Sequence, residues 1–404
     1  MGLRHWTTWI ALLAVSACGG GEADHSGPGG RTPDLSDAYA YVADSPWASD
    51  LVQCVDARRE PSSCSIGQLP PIGRAVATPA VGDVMDHVVV SHDWMGLRFR
   101  EILERQPSEL LRLLGAATAI VIDDDVRPSF YWSLTGAVYV DPRHLWLTAE
   151  EEATIGDEAD YRSGFGAALG FFSFSSYLDA DGPAFVGSGP GRDLDSRVAA
   201  VAALLFHEGA HANDFLPPSE LGRLDPEEPF VDVVERLEGA RLSPRLAAWR
   251  PLGSELWRGL GRVLYFGEEA TEEQEALTAA EVGAAFEPDG ASDPYSYSAQ
   301  QEDFAMLFEE TMLKRHFDFD RRVGFATAPD EPAQSCEEYV VGWGVKSRIA
   351  AESVAPRAQL VAELLLGDPL TSFFAALPGP VPIPPGEDLC VEPSMPPETA
   401  LRWR

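Results

Sequence analysis

A chain of 404 residues, 45% hydrophobic and 23% charged, is long enough to bury a sizeable core and reads as globular, with room for one large domain or a few smaller ones. Its formal net charge of −34 argues against nucleic acid and anionic lipid surfaces as partners. The acidity serves solubility and identifies no ligand.

At the N-terminus Arg4 precedes the apolar stretch Trp9 to Ala17, which is too short to span a membrane stably and is patterned as a secretory signal. It ends in Val15-Ser16-Ala17-Cys18, which resembles the lipobox of bacterial lipoproteins. The resemblance implies that residues 1–17 are removed, that Cys18 carries lipid, and that the mature protein is held on a membrane of the bacterial cell envelope. Gly19 after the cysteine, where Asp would signal retention, implies the outer membrane. The glycine-rich run Gly19 to Arg31 reads as a flexible tether, taken to extend over 18–37. Cys54, Cys64, Cys336 and Cys390 remain, and three pairings are open to them. Proximity favours Cys54 with Cys64 and Cys336 with Cys390, each bridge worth about 2–4 kcal/mol in an oxidising compartment. No CxxC pair points to a cysteine zinc site.

The segment 38–115 is expected as a loop-rich lead-in followed by a mostly helical stretch from Met85 to Leu114, where Phe99, Ile102, Leu103, Leu110 and Leu114 recur near the helical period. "AATAIVIDDD" reads as a buried strand closed by an acidic turn, a commoner use of Asp123, Asp124 and Asp125 than a cation site. "TGAVYVDPRHLWLT" reads as a second strand that could lie at a sheet edge because of Pro142. Thr148 with Glu150, Glu151 and Glu152 marks a helix start. From Asp195 to Phe215 the pattern is helical and apolar on nearly all sides, so this helix belongs in the interior. "LTAAEVGAAF" and "SAQQEDFAMLFEETMLKRHF" are further helices, with a loop between them. Residues 116–320 form the expected core. The remainder, 321–404, holds a helix near Ala351 to Leu366 and an extended proline-rich run.

The interior helix carries "LLFHEGAHANDF". His207 and His211, four residues apart, project from one helix face and can bind one zinc ion at about 2.0–2.1 Å each. Glu208 turns away from the ion and can act as general base toward a water held there, the logic of the HExxH pattern. Unpaired imidazoles and a carboxylate are costly in an apolar interior, which weighs against chance. Gly209 suggests close packing against a strand. No further histidine lies nearby, since His316 is the only one after His211, so the third ligand should be a carboxylate. Glu302, at the start of its helix, is the leading candidate, with Asp303 and Glu309 as competitors; Asp214 is better placed to orient a ligand or to make a helix-end salt bridge.

This motif helix, followed by a tyrosine, six residues, and a glutamate opening an acidic helix with Phe304 and Ala305, resembles the catalytic domain of anthrax-lethal-factor-like zinc peptidases. The likeness covers the two motif helices, within about residues 195–316. It implies that Tyr295 stabilises the oxyanion of the tetrahedral intermediate, with Tyr297 as the alternative. Met306 stands where the family pattern has another glutamate, a role Glu309 can take over. The expectation is an α+β, zincin-like metallopeptidase domain with a small mixed sheet and two motif helices, using zinc, His207, Glu208, His211, Glu302 and Tyr295 on a peptide or protein substrate. The alternative is a catalytically inactive zinc-fold binding or envelope-assembly lipoprotein.

Overall fold

The computed structural model describes residues 32–56, 58, 64–157, 159–180, 182, 184, 192–327 and 338–388. Cys18, Cys336 and Cys390, and with them the lipid site and the second expected disulfide, lie outside the described residues. The chain is mixed α+β, with two small sheets flanking a helical centre.

The first sheet takes β1 (Tyr39–Ala40), β2 (Val88–Val90), β3 (Ile120–Ile122), β4 (Phe130–Trp132) and β5 (Ala137–Val140) in the order β1-β2-β3-β5-β4. Strands β2, β3 and β5 run parallel, and the edge strands β1 and β4 are antiparallel to their neighbours. Parallel strands are covered on both faces, which is why these read as continuous apolar runs, "VVV", "IVI" and "AVYV". Val88, Val90, Ile120 and Ile122 face the helices, while Val89, Val121 and Tyr139 face a second layer. That layer contains Leu51 and Val55 beside the disulfide between Cys54 and Cys64, whose Cα atoms are 5.6 Å apart. Leu35 is buried in the same layer, so the expected tether over 18–37 is anchored before it ends.

Helices α1 (Asp93–Leu103) and α2 (Ser108–Leu114) form the crossover from β2 to β3. The mostly helical stretch expected from Met85 to Leu114 therefore begins with a strand: three successive β-branched residues prefer the pleated, two-sided burial that β2 provides. Strand β5 is internal, not at an edge. Pro142 lies beyond its end, opening the 3₁₀ turn Pro142–His144, where its missing N–H removes no ladder bond.

At the centre, α3 (Leu194–Phe215) packs along a second long helix. Asp193 caps α3 by accepting from the Ser196 N–H at 2.9 Å. Alanines 199, 200, 202, 203, 210 and 212 keep its surface low enough for neighbours to approach closely. Gly209 does the same for a helix, not for the strand expected: a Cβ there would stand 2.5 Å from Leu113 Cδ2 in α2.

The second sheet, β6 (Phe171–Leu178), β7 (Asp320–Thr327), β8 (Val341–Lys346) and β9 (Val381–Ile383), is antiparallel throughout and ordered β6-β7-β8-β9. One face packs on α5 (Glu255–Phe266) and α6 (Ala279–Phe286), with α4 (Ser243–Trp249) preceding them in the chain; Trp257, Phe286, Phe325 and Trp343 interlock there. After α6 come the 3₁₀ turn Pro294–Tyr297, the second central helix α7 (Gln300–Phe317) and α8 (Ala355–Leu366), which packs on α7. Strand pairing crosses the expected segment boundaries, β2 with β3 near residue 116 and β6 with β7 near residue 320. No described helix is long and apolar enough to cross a membrane.

Candidate metal centre

The two histidines of α3 and the glutamate in the first turn of α7 meet where these helices cross. His207 Nε2 lies 3.0 Å from Glu302 Oε2 and 3.2 Å from His211 Nε2, and His211 Nε2 lies 3.3 Å from the same carboxylate oxygen. Three ligand atoms about 3.3 Å apart are what a tetrahedral ion with bonds of about 2.0–2.1 Å requires along its edges. Two imidazole nitrogens and one carboxylate oxygen, on side chains 12%, 9% and 5% exposed, are also a donor set that suits such an ion. The residues present therefore fit a metal. Among the described residues they are the only group of three His, Cys, Asp or Glu side chains that could hold one.

The surrounding electrostatics separate the two carboxylates. Burial works against the charge on Glu302, yet His211 and His207 outweigh it and hold the carboxyl well below its usual range. Burial also opposes charge on His207, and the carboxylates of Glu302 and Glu309 overcome it, raising the imidazole well above its usual range. At Glu208 burial dominates over the two histidines and pushes the carboxyl upward. Glu208 is buried and makes no bond to the triad; it accepts from the backbone N–H of Tyr131 in the edge strand β4. The Tyr131 ring packs against Phe215 at the end of α3, which holds strand and helix together beside the site.

The other candidates are placed just as definitely. Glu309 does not join the triad: its Oε2 lies 3.0 Å from His207 Nδ1, on the far side of the ring from the nitrogen that faces Glu302 and His211. It thus supplies, three residues further along α7, a carboxylate contact that Met306 cannot make. Asp303 turns away from the site into a buried, two-armed ion pair with Arg357. Asp214 does not join the triad, and among the described residues it makes neither the ligand-orienting bond nor the helix-end salt bridge expected of it. Its carboxylate caps α4, accepting from the N–H groups of Leu242 and Ser243 and from the Ser243 hydroxyl, each at 2.6 Å. Asp123 closes its strand as an acidic turn, accepting from the Asp125 N–H at 3.0 Å, and burial raises its carboxyl to about 7.

The two tyrosines differ sharply. Tyr295 stacks on the His207 ring, with centroids 6.3 Å apart, and meets Tyr265 of α5 edge-on at 4.9 Å. Tyr297 faces the other core, stacked on Trp257, and donates its hydroxyl to Asp289 at 2.7 Å. The turn carrying them is fixed by three buried arginines. Arg348 donates to the carbonyls of Phe286, Asp289 and Ala291, Arg357 donates to that of Gly290, and Arg321 pairs with Asp293 at 2.6 Å. Asp293 in turn accepts from the Tyr295 N–H at 2.7 Å. Sequence reasoning missed Arg321 and Tyr177, whose hydroxyl donates to Glu309 at 2.8 Å across a sequence separation of 132.

Fold and site together define an α+β protein with a buried His-His-Glu group able to hold a metal ion. No family model, curated protein or solved structure matches this chain.

Proposed function

We propose that this protein is a zinc peptidase of the zincin type, related in its motif helices to the anthrax-lethal-factor-like group. The observation that carries the reading is the convergence of His207, His211 and Glu302, with ligand atoms 3.0, 3.2 and 3.3 Å apart, and with Glu208 beside the group and outside it. Bound by those three side chains, zinc would supply Lewis acidity toward a carbonyl oxygen and toward water. Glu208, its carboxyl raised by burial, accepts the proton of the attacking water as the new C–O bond forms. It then delivers that proton to the amine as the C–N bond breaks. Tyr295 donates a hydrogen bond to the oxyanion formed in between. Among the described residues β4 is an edge strand beside Glu208, so an extended peptide could pair along it where its Tyr131 N–H is not already held by Glu208.

The test is zinc content and hydrolysis of an unfolded general protein substrate. Wild type should carry one zinc per chain and cleave. Glu208→Gln should keep the zinc and lose about 10²–10⁴-fold in rate, and His211→Ala should lose the metal. Wild type without zinc, or an active Glu208→Gln, would reject the reading. For localisation we propose lipid attachment at Cys18 in a bacterial envelope, on the Val15-Ser16-Ala17-Cys18 tetrapeptide. Cys18→Ser should move the protein from the membrane to the soluble fraction or leave it unprocessed; a lipid-free wild-type N-terminus elsewhere would end that proposal.

A further inference from the structure

We propose that Tyr177 and Arg321, from the second sheet, are positioning residues that lock His207 and the Tyr295 turn into one constellation. The inference rests on the metal-binding part of the reading above and not on hydrolysis. Glu309 stands at the centre: Oε2 meets His207 Nδ1 at 3.0 Å, and Oε1 accepts from the Tyr177 hydroxyl at 2.8 Å. A carboxylate only accepts, so the one proton that a metal-bound imidazole keeps would sit on Nδ1 against Glu309, and Nε2, which faces Glu302 and His211, is the nitrogen left for the ion. Tyr177 fixes which way the carboxylate points. Without that hydroxyl, Glu309 is free to rotate about its last bond and the tautomer of His207 loses its anchor.

Arg321 joins this contact to the other half of the site. One arm reaches the Tyr177 hydroxyl at 3.4 Å while the guanidinium lies over the Tyr177 ring, and the other arm pairs with Asp293 at 2.6 Å. Asp293 caps the turn at the Tyr295 N–H, and the Tyr295 ring returns to stack on His207. The contacts thus close into a ring: His207, Glu309, Tyr177, Arg321, Asp293, Tyr295. Residues of β6, β7, α3, α7 and the 3₁₀ turn all contribute, and the Arg321 and Asp293 side chains are only 7% and 8% exposed. A buried guanidinium presents its donors in a rigid planar fork, so it holds both partners in fixed directions, where an ammonium offers rotatable donors on a flexible stem.

The measurement is zinc affinity by chelator competition, with the melting temperature of zinc-stripped protein as the control for folding. Tyr177→Phe and Glu309→Gln should each weaken zinc binding by about 10–100-fold, and Arg321→Lys by about tenfold, while the stripped protein stays folded with a melting temperature lowered only as far as the lost buried hydrogen bond requires. The cobalt-substituted protein should show shifted visible bands in all three. Wild-type affinity and cobalt spectrum in Tyr177→Phe and Glu309→Gln would overturn the inference, and Glu309→Gln carries the same readout should Tyr177→Phe not fold. A wild type that holds zinc but hydrolyses nothing would sink the peptidase proposal and leave this measurement intact. A wild type that binds no zinc would sink both.

Discussion

Glu208 and Glu302 carry the same functional group within one buried site, and their surroundings shift them in opposite directions, burial raising Glu208 and, against burial, the two histidines lowering Glu302. On the proposed function, carboxyls pushed apart in this way divide the work, Glu302 staying an anion and Glu208 carrying the proton. Tyr295 and Tyr297 are separated by packing instead. On the proposed function Tyr295→Phe should lower kcat by about 10²–10³-fold while zinc content and KM stay near wild type. Tyr297→Phe should instead lower the melting temperature, because it removes the partner of Asp289 in a packed core, and leave kcat nearly unchanged. Unchanged kcat in Tyr295→Phe would take the phenol out of the mechanism. The candidate triad His207, His211 and Glu302, and Glu208 beside it, were legible because they lie on two helices whose periodicity survives in the sequence. Glu309 was only one acid among several on its helix, and Tyr177 and Arg321 approach it from strands that local spacing cannot bring there.

Among the elements, the two central helices read clearly because each is long and apolar on most sides. Strands β6 and β7 did not. "FFSFSSYL" mixes phenylalanine and serine on both faces, since one face joins the aromatic core and the other a small separate cluster, so no clean alternation results. Strand β7 opens with Asp320-Arg321-Arg322, which by composition belongs in solvent, yet Arg321 and Arg322 are both buried. Helix α5 was obscured by Gly259 and Gly261, which weaken helical propensity. Gly261 is there for contact: a Cβ would lie 2.9 Å from the Tyr297 carbonyl. The same reasoning gives a test at Gly209. Alanine should improve the helix by about 1 kcal/mol, but its methyl would meet Leu113 Cδ2 at 2.5 Å and Cγ at 2.9 Å. Overpacking of this kind costs about 1–3 kcal/mol, so Gly209→Ala should lower the melting temperature. A rise would mean that α2 and α3 separate more easily than their packing implies.

Across the whole molecule, the residues that bind and the residues that hold are far apart in sequence. The triad is complete by residue 302, whereas Arg321, Arg348 and Arg357, which pin the approach to Tyr295, all come later. Strand β6 also waits for β7 as its pairing partner. A chain stopped after Phe317 should therefore bind zinc far more weakly than the full chain, although it keeps every ligand; equal affinity would show that the triad needs no brace. This separation has a consequence in time. A polypeptide is made from its N-terminus, so His207, Glu208, His211 and Glu302 emerge before Arg321, Arg348 and Arg357 have been made. On the proposed function, competence arrives only once the chain beyond Phe317 has been made, because that stretch brings Arg321, Arg348 and Arg357, which brace the approach to Tyr295.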